Sequence, residues 1–279
     1  AAGQSQDEQP PPPVGAGGAA PVIDEGTLAA VVAILAPPAD AGTPDPAGMA
    51  AALERLGPPA VPVLVGMLAG ELDPPVFVAG SADRPVHPLA LEQRVRVLEE
   101  ALARLPASAV VEHLSARLET RPETGIRLMI AGLLGRVDYP GACELLVALI
   151  EDLDALDLRP RYAQETLESA LAAHLLQSPD ALDVLWQSGF DAPAERLVLF
   201  ARAVAATRTS AGVELLASWI DMHPEADGEL LTQIGSVVGE GGLAVPPAAL
   251  AAVRSKVLAE EPEVRRSAII AAGRLRDEA

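Results

Sequence analysis

Side chains that could bind a metal ion or transfer a proton are few in this chain of 279 residues. Its four histidines are His87, His113, His174 and His223. None has a second histidine, a cysteine or a carboxylate at the spacing of a metal site, although glutamates stand near His113 and His223. His113 and His174 lie among apolar residues, so we expect both at the edge of the core. The histidines therefore define no metal centre.

The single cysteine, Cys143, is the one candidate for thiol chemistry. Leu145 and Leu146 follow it in a segment with helical periodicity, and no basic residue stands beside it to stabilise a thiolate. We therefore expect a buried, structural thiol. One cysteine also rules out a disulfide within the chain.

Two glycine clusters and an acidic run have the composition of ligand-binding loops. The clusters, at residues 15–18 and 239–242, are not followed by the Lys-Ser/Thr of a phosphate-binding loop. The acidic run at 151–157 lacks the central glycine and the closing glutamate of a calcium loop. We expect 239–242 to separate two helices, and 151–157 to be a solvated helix end, with a weak divalent-ion patch as its alternative. No residue is therefore assigned a catalytic, cofactor-binding or metal-binding role.

The elements that must position any site are helices. Half of the chain is apolar, yet only 3% is aromatic, and alanine and leucine dominate. Strands favour β-branched and aromatic residues, whereas alanine and leucine are strong helix formers. No alternation of valine, isoleucine or threonine between turn residues predicts a sheet. The sequence thus predicts an all-α fold.

Helices that open on proline recur along the chain at intervals of roughly 30 to 45 residues, the range of helix-pair repeats. The prolines are Pro46, Pro88, Pro122, Pro160, Pro193, Pro224 and Pro262. Between them lie second helices, whose entry turns can be overlaid in the segments 53–68, 133–150 and 205–220. The apolar spacing from Ile126 to Val137 predicts a helix with one wide buried face, and Leu91 begins a similar stripe. One helix pair alone cannot bury such faces, so the pairs must stack.

Three segments of the chain resemble HEAT repeats, in particular the short bacterial HEAT-like type first noticed in phycobilisome lyases. The matching segments are GPPAVPVL at 57–64, GRVD at 135–138, and 264–273 with its VRRSA and AAG. The resemblance implies a right-handed α-solenoid of antiparallel helix pairs. It also implies a noncatalytic scaffold for protein–protein interaction.

HEAT-repeat proteins with other activities supply the alternatives to a scaffold function. A lyase-type or other enzyme-associated HEAT protein stays open, because the lyase family is itself recognised by its repeats. A HEAT-type DNA glycosylase requires a basic groove, which the net charge of −19 opposes. Di-iron HEAT enzymes such as deoxyhypusine hydroxylase carry His-Glu dipeptides, and this sequence has none. The remaining alternative is the repeat module of a larger secreted bacterial protein.

The charge also bears on partners. A strongly acidic surface repels nucleic acid and anionic lipid, because proteins bind both chiefly through lysine and arginine. The chain has a single lysine, Lys256, and no uncharged, proline-free apolar run of about 18 residues. We therefore expect no nucleic acid, no membrane insertion and no cofactor. The acidic surface either confers solubility alone or meets a protein partner with a basic face.

The first residues predict a separate segment. Residues 1–23 are rich in proline, glycine and alanine, which predicts a disordered linker before a HEAT-like domain at 24–279. Such a linker resembles the one that follows a removed signal peptide in a secreted bacterial protein. A periplasmic or secreted location is therefore slightly favoured over the cytoplasm.

Two further features concern the repeats themselves. The helix from Pro262 stops where a second helix should begin, which indicates an incomplete last repeat and predicts that Ile269 or Ile270 is partly exposed. The longest interruption, 71–87, combines proline, glycine and aspartate, which predicts a loop. Its one aromatic residue, Phe77, is expected to pack on a repeat edge, with a contact loop as the alternative.

Overall fold

The fold is all helical. The structure, a computed structural model, describes residues 23–37, 45–72, 89–152, 160–241 and 243–275. These residues form fourteen α-helices and two short 3-10 turns, and no strand is present among them. The prediction of an all-α fold is therefore confirmed. Residues 1–22 of the expected linker and most of the expected loop, with Phe77, lie outside the described residues.

The helices alternate between two rows along the chain. The first-helix row comprises α2 (Pro46–Glu54), α4 (Leu91–Arg104), α6 (Thr124–Leu134), α8 (Pro160–Gln177), α10 (Ala194–Ala206), α12 (Asp227–Gly241) and α14 (Pro262–Arg274). The second-helix row comprises α1 (Glu25–Leu35), α3 (Val61–Leu68), α5 (Ala107–Glu119), α7 (Pro140–Glu151), α9 (Leu182–Phe190), α11 (Ser210–Trp219) and α13 (Pro247–Lys256). Residues 239–241 of the glycine cluster form the end of α12, and the next helix, α13, begins at Pro247, so the cluster ends one helix before the next begins, as expected.

The prolines that mark the repeat coincide with the starts of the first-helix row. Pro46, Pro160 and Pro262 are the first residues of α2, α8 and α14. The other four marking prolines lie one to three residues before an even-numbered helix. Proline favours this position because its fixed φ suits the first turn and its missing N–H has no intrahelical partner there. The proline interval therefore predicted where each pair begins.

Helices pack mainly on the helices one and two places away in the chain. The first-helix row runs through consecutive contacts from α2 to α14, and the second-helix row through consecutive contacts from α1 to α13. Contacts between rows, such as α6 with α7 and α10 with α11, join the two layers. The core therefore lies between the rows and extends along the molecule without a central helix.

Apolar stripes and small residues hold this core together. Ile130, Leu134 and Val137 are buried, which confirms the wide apolar face predicted for α6. Small residues bring the first-helix row close, since a Cβ on Gly235 of α12 would lie 3.1 Å from Cα of Ala271 in α14. Leu91 was predicted to be in an apolar stripe, and that prediction is wrong. It is the first residue of α4, where no helix of the described residues covers its side chain, and it is exposed.

The last described helix buries one side only. Val264, Ala268 and Ala271 are buried, and α14 contacts α12 and α13. Ile269 and Ile270 are both about half exposed, where one was expected to be. Neighbouring residues on a helix point about 100° apart, and both isoleucines face away from the covered side.

Candidate protein-interaction surface

Cys143 is a packing residue of α7. Its side chain is fully buried, and its Sγ lies 3.8 Å from the carbonyl oxygen of Ala181. Burial, together with the negative charge of Glu144, raises the pKa of the thiol to about 12. A thiol with that pKa is almost wholly protonated at neutral pH and is a poor nucleophile. The burial expected from the sequence is confirmed.

The three histidines in the described part of the chain lie on different elements. His174 is fully buried in α8, where its Nδ1 lies 3.1 Å from the carbonyl oxygen of Val137. Burial lowers the pKa of His174, and burial together with the charge of Arg117 lowers the pKa of half-buried His113. His223 is buried beside the turn after α11, and His87 lies outside the described residues. Within the described ranges, no three His, Cys, Asp or Glu side chains are grouped to hold a metal ion.

The structure describes only the first two residues of the acidic run at 151–157. Glu151 ends α7, and the carboxylate of Asp152 pairs with Arg127 of α6. This contact fits the solvated helix end that was expected, because Asp152 is exposed and already has a cationic partner. Residues 153–157 lie outside the described part of the chain.

A cluster of three charged residues joins α11, α12 and α13. Nζ of Lys256 lies 2.6 Å from Oδ1 of Asp221 and 2.5 Å from Oδ2 of Asp227. The backbone N–H of Asp221, whose φ is 73°, donates to Oδ1 of Asp227 at 3.2 Å. Burial alone would lower the pKa of Lys256, but its bonds to the two aspartates outweigh burial and raise it. The single cation of the cluster is paired with both of its carboxylates, and these contacts hold the turn between the helices.

Three glutamates of the first-helix row pair with arginines on or next to neighbouring helices. Glu99 of α4 pairs with Arg136, just after α6, at 2.7 Å. Arg202 of α10 contacts Glu168 of α8 at 3.5 Å and Glu229 of α12 at 3.1 Å. These three glutamates are therefore paired within the row.

The middle of the second-helix row is poor in cations. Its helices α7, α9 and α11 contain no lysine or arginine. Five exposed carboxylates on or beside this row form no ion pair with another described residue. They are Glu112 of α5, Glu144 of α7, Asp183 and Asp191 at the two ends of α9, and Glu214 of α11. The negative charge of these five side chains is thus left unpaired within the described structure.

A groove separates α5 from α7 on the same row. Its volume is about 400 Å³. The lining residues are Ser108, Val111, Glu112, Ser115, Tyr139, Gly141, Glu144 and Leu145. The ring of Tyr139 lies close over Gly141, where a Cβ would be 3.0 Å from Cε1 of the tyrosine. Two carboxylates and an aromatic ring around one groove have the chemistry to receive an arginine or lysine side chain.

The next helix of the row, α9, presents two aromatic side chains to solvent. Trp186 is 47% exposed and Phe190 is 55% exposed. Residues four apart lie on one face of a helix, so the two rings are neighbours on the surface. Sequence reasoning missed this pair. The available signal was the spacing itself, since a chain with 3% aromatic residues places two of them one helical turn apart.

Comparison with known proteins adds no relative. No family model matches the chain, and no curated protein or solved structure matches it either. Within the described residues, no helix combines the length and the apolar character needed to cross a membrane. The second-helix row, with its uncompensated carboxylates and exposed aromatic rings, is therefore the candidate site on the strength of its own chemistry.

Proposed function

We propose that this protein is a noncatalytic scaffold of HEAT-like repeats that binds a protein partner through its second-helix row. One observation carries the proposal. Three partly buried glutamates of the first-helix row meet arginines on or just after helices of that row. Five exposed carboxylates on or beside the second-helix row pair with no described cation, and the same row presents exposed aromatic rings. The second-helix row thus combines unpaired carboxylates with exposed aromatic rings.

The physical reason is that a basic partner supplies the cations that these carboxylates lack in the free protein. Carboxylates without partners repel each other, and a basic partner surface relieves that repulsion while it speeds association. Tryptophan and other aromatic residues are enriched among the residues that supply most of the binding energy at protein interfaces. A surface that only confers solubility needs the charges but not the exposed rings.

The proposed architecture is a right-handed α-solenoid of antiparallel helix pairs. Its support is the local pattern of contacts, in which helices touch mainly neighbours one and two places away. Repeat proteins have this one-dimensional pattern because each pair buries its apolar face on the next. An experimental structure in which the pairs turn to the left, or in which the two ends meet, would contradict this part of the proposal.

Site-specific photo-crosslinking tests the docking face. A photoreactive amino acid is placed at Gln187, which is exposed between Trp186 and Phe190 on α9. The matched control is Ser169, an exposed polar residue on α8 of the first-helix row. Both variants are illuminated in an extract of the organism that encodes the protein, and the products are identified by mass spectrometry.

We expect the Gln187 variant to crosslink to a discrete protein with a basic surface. The Ser169 variant is expected to yield little of that product. Equal products from both positions would show that the docking face is not the second-helix row. Absence of any crosslinked protein at either position would contradict the scaffold function.

A further inference from the structure

The aromatic face of α9 is held rigidly from behind. Leu185 and Gly189 are buried on a side of the helix that lies about 100° around its axis from Trp186 and Phe190. The fully buried Trp219 of α11 packs directly against the backbone of Gly189. A Cβ added to Gly189 would lie 2.6 Å from three atoms of the indole ring. A helix locked in this way cannot turn its exposed rings inward without losing the Trp219 contact.

The same face is bordered by negative charge. Asp183 lies in the first turn of α9, and Asp191 is the residue that follows its last turn. Eight residues of helix separate them by about 12 Å, with the two rings between. Neither aspartate pairs with a described cation, and α7 and α11, the neighbours of α9 in the row, carry no lysine or arginine.

Aromatic rings between carboxylates suit one kind of side chain above others. The guanidinium of arginine stacks on an aromatic ring through a cation–π interaction and also pairs with a carboxylate through two parallel hydrogen bonds. Aliphatic side chains on the same segment would cover the remaining apolar surface of the rings. The chemistry of the face therefore specifies both parts of an amphipathic, basic ligand.

We propose that Trp186 and Phe190 anchor an arginine-bearing amphipathic segment of a protein partner, with Asp183 and Asp191 pairing to its cations. This inference rests on the proposed scaffold function and names its anchor and the chemistry of its ligand. Two other occupants are disfavoured by charge. A second copy would bring the same unpaired aspartates against these ones, and an anionic membrane would be repelled.

A designed peptide tests the proposal directly. The probe is a fluorescently labelled amphipathic helix with leucine on one face and arginine on the other, and the reference peptide replaces every arginine by glutamate. Binding is followed by fluorescence anisotropy at two NaCl concentrations. Iodide quenching of the intact protein locates the peptide, because Trp186 is exposed while Trp219, the second of two tryptophans, is fully buried.

Variants assign the binding to α9. The anchor variant is Trp186→Ala with Phe190→Ala, and the charge variant is Asp183→Asn with Asp191→Asn. The matched control is Tyr162→Ala, an aromatic residue of the first-helix row that is 60% exposed. All four substituted side chains of α9 are exposed, so circular dichroism is expected to show unchanged helix content. We expect the anchor variant to lose affinity by about thirtyfold, the size typical of a truncated aromatic hot spot.

The charge variant is expected to bind more weakly and with a smaller dependence on salt, and the control to bind like the unmodified protein. Failure of the arginine peptide to bind, equal binding of the glutamate peptide, or unchanged binding by the anchor variant would overturn the inference. If the protein self-associates and the anchor variant does not, the occupant of this face is a second copy and the inference is overturned. If the protein binds phosphatidylserine vesicles and the anchor variant does not, the occupant is a membrane and the inference is likewise overturned. If Gln187 crosslinks a partner while the peptide fails, the scaffold function stands and this inference alone falls.

Discussion

Nζ of Lys256, the only lysine of the chain, lies 2.5 Å from Oδ2 of Asp227, whose side chain is 2% exposed. The pair connects the last residue of α13 to the first residue of α12. A carboxylate that is almost fully removed from water depends on this cation, because an unpaired buried charge is costly. The pair therefore acts as a clamp on the turn between α11 and α12.

We expect Lys256→Met to destabilise the protein by about 3–5 kcal/mol, the cost of leaving one member of a buried ion pair alone. The measurement is urea-induced unfolding at neutral pH. The matched control is Arg161→Met, which breaks the exposed pair of Arg161 with Glu165 in α8. That change should cost less than about 1 kcal/mol, as exposed pairs do. Equal effects of the two substitutions would show that the clamp is not needed.

His174 makes stability depend on pH. Its folded pKa is lowered below the ordinary value of 6.5, chiefly by burial. The unfolded chain therefore binds the proton more readily than the folded one, and stability falls as the pH falls. The contribution is complete above the unfolded pKa, and it is lost as the pH drops through 6.5 and down through the lower folded value.

The substitution His174→Asn isolates this effect. The asparagine amide can donate to the carbonyl oxygen of Val137, as Nδ1 of the histidine does, but it does not titrate. We expect the variant to lose less unfolding free energy than the unmodified protein between about pH 7 and pH 5. Urea unfolding across that range is the measurement, and parallel pH profiles of the two proteins would contradict the role of His174.

Gly189 is needed because Trp219 occupies the space of a side chain. In Gly189→Ala the new Cβ would lie 2.6 Å from the indole ring, so either ring or helix must shift. We expect a loss of about 1–3 kcal/mol, the usual cost of overpacking a core. Gly132→Ala in α6 is the control, since its Cβ meets nothing within 4 Å. There the substitution should gain about 0.5–1 kcal/mol of helix stability, and thermal unfolding compares the two.

Cys143 should be unreactive in the folded protein. Its thiol is fully buried and its pKa is raised to about 12, so little thiolate exists at pH 8. We expect no reaction with Ellman's reagent until the protein is unfolded in guanidinium chloride, when one thiol reacts. A Ser169→Cys variant supplies an exposed thiol on α8 as the positive control. Prompt reaction of the unmodified native protein would mean that α7 opens readily.

Duplex DNA should not bind this protein at physiological ionic strength. The net charge of −19 opposes the phosphate backbone, which binds chiefly to lysine and arginine. Electrophoretic mobility shift at two salt concentrations is the measurement. Binding that weakens steeply with added salt would show a basic patch strong enough to overcome the overall charge.

The sequence by itself determined the helical class, the starts of the first-helix row and the burial of Cys143. Each of these depends on local chemistry. Alanine and leucine favour helix wherever they stand, proline favours the first turn, and a cysteine among leucines is buried when its helix packs. The seven marking prolines accordingly predicted seven helix starts.

Tertiary structure alone decided which side of each helix is covered and which charges meet. Helix α9 has apolar residues on two sides, and periodicity cannot tell that Leu185 packs inward while Trp186 faces solvent. Lys256 pairs with Asp227 only because the end of α13 lies beside the start of α12. Glu99 likewise pairs with Arg136 only because α4 and α6 are neighbours in the fold. Such relationships depend on the positions of several helices at once, whereas sequence patterns describe one helix at a time.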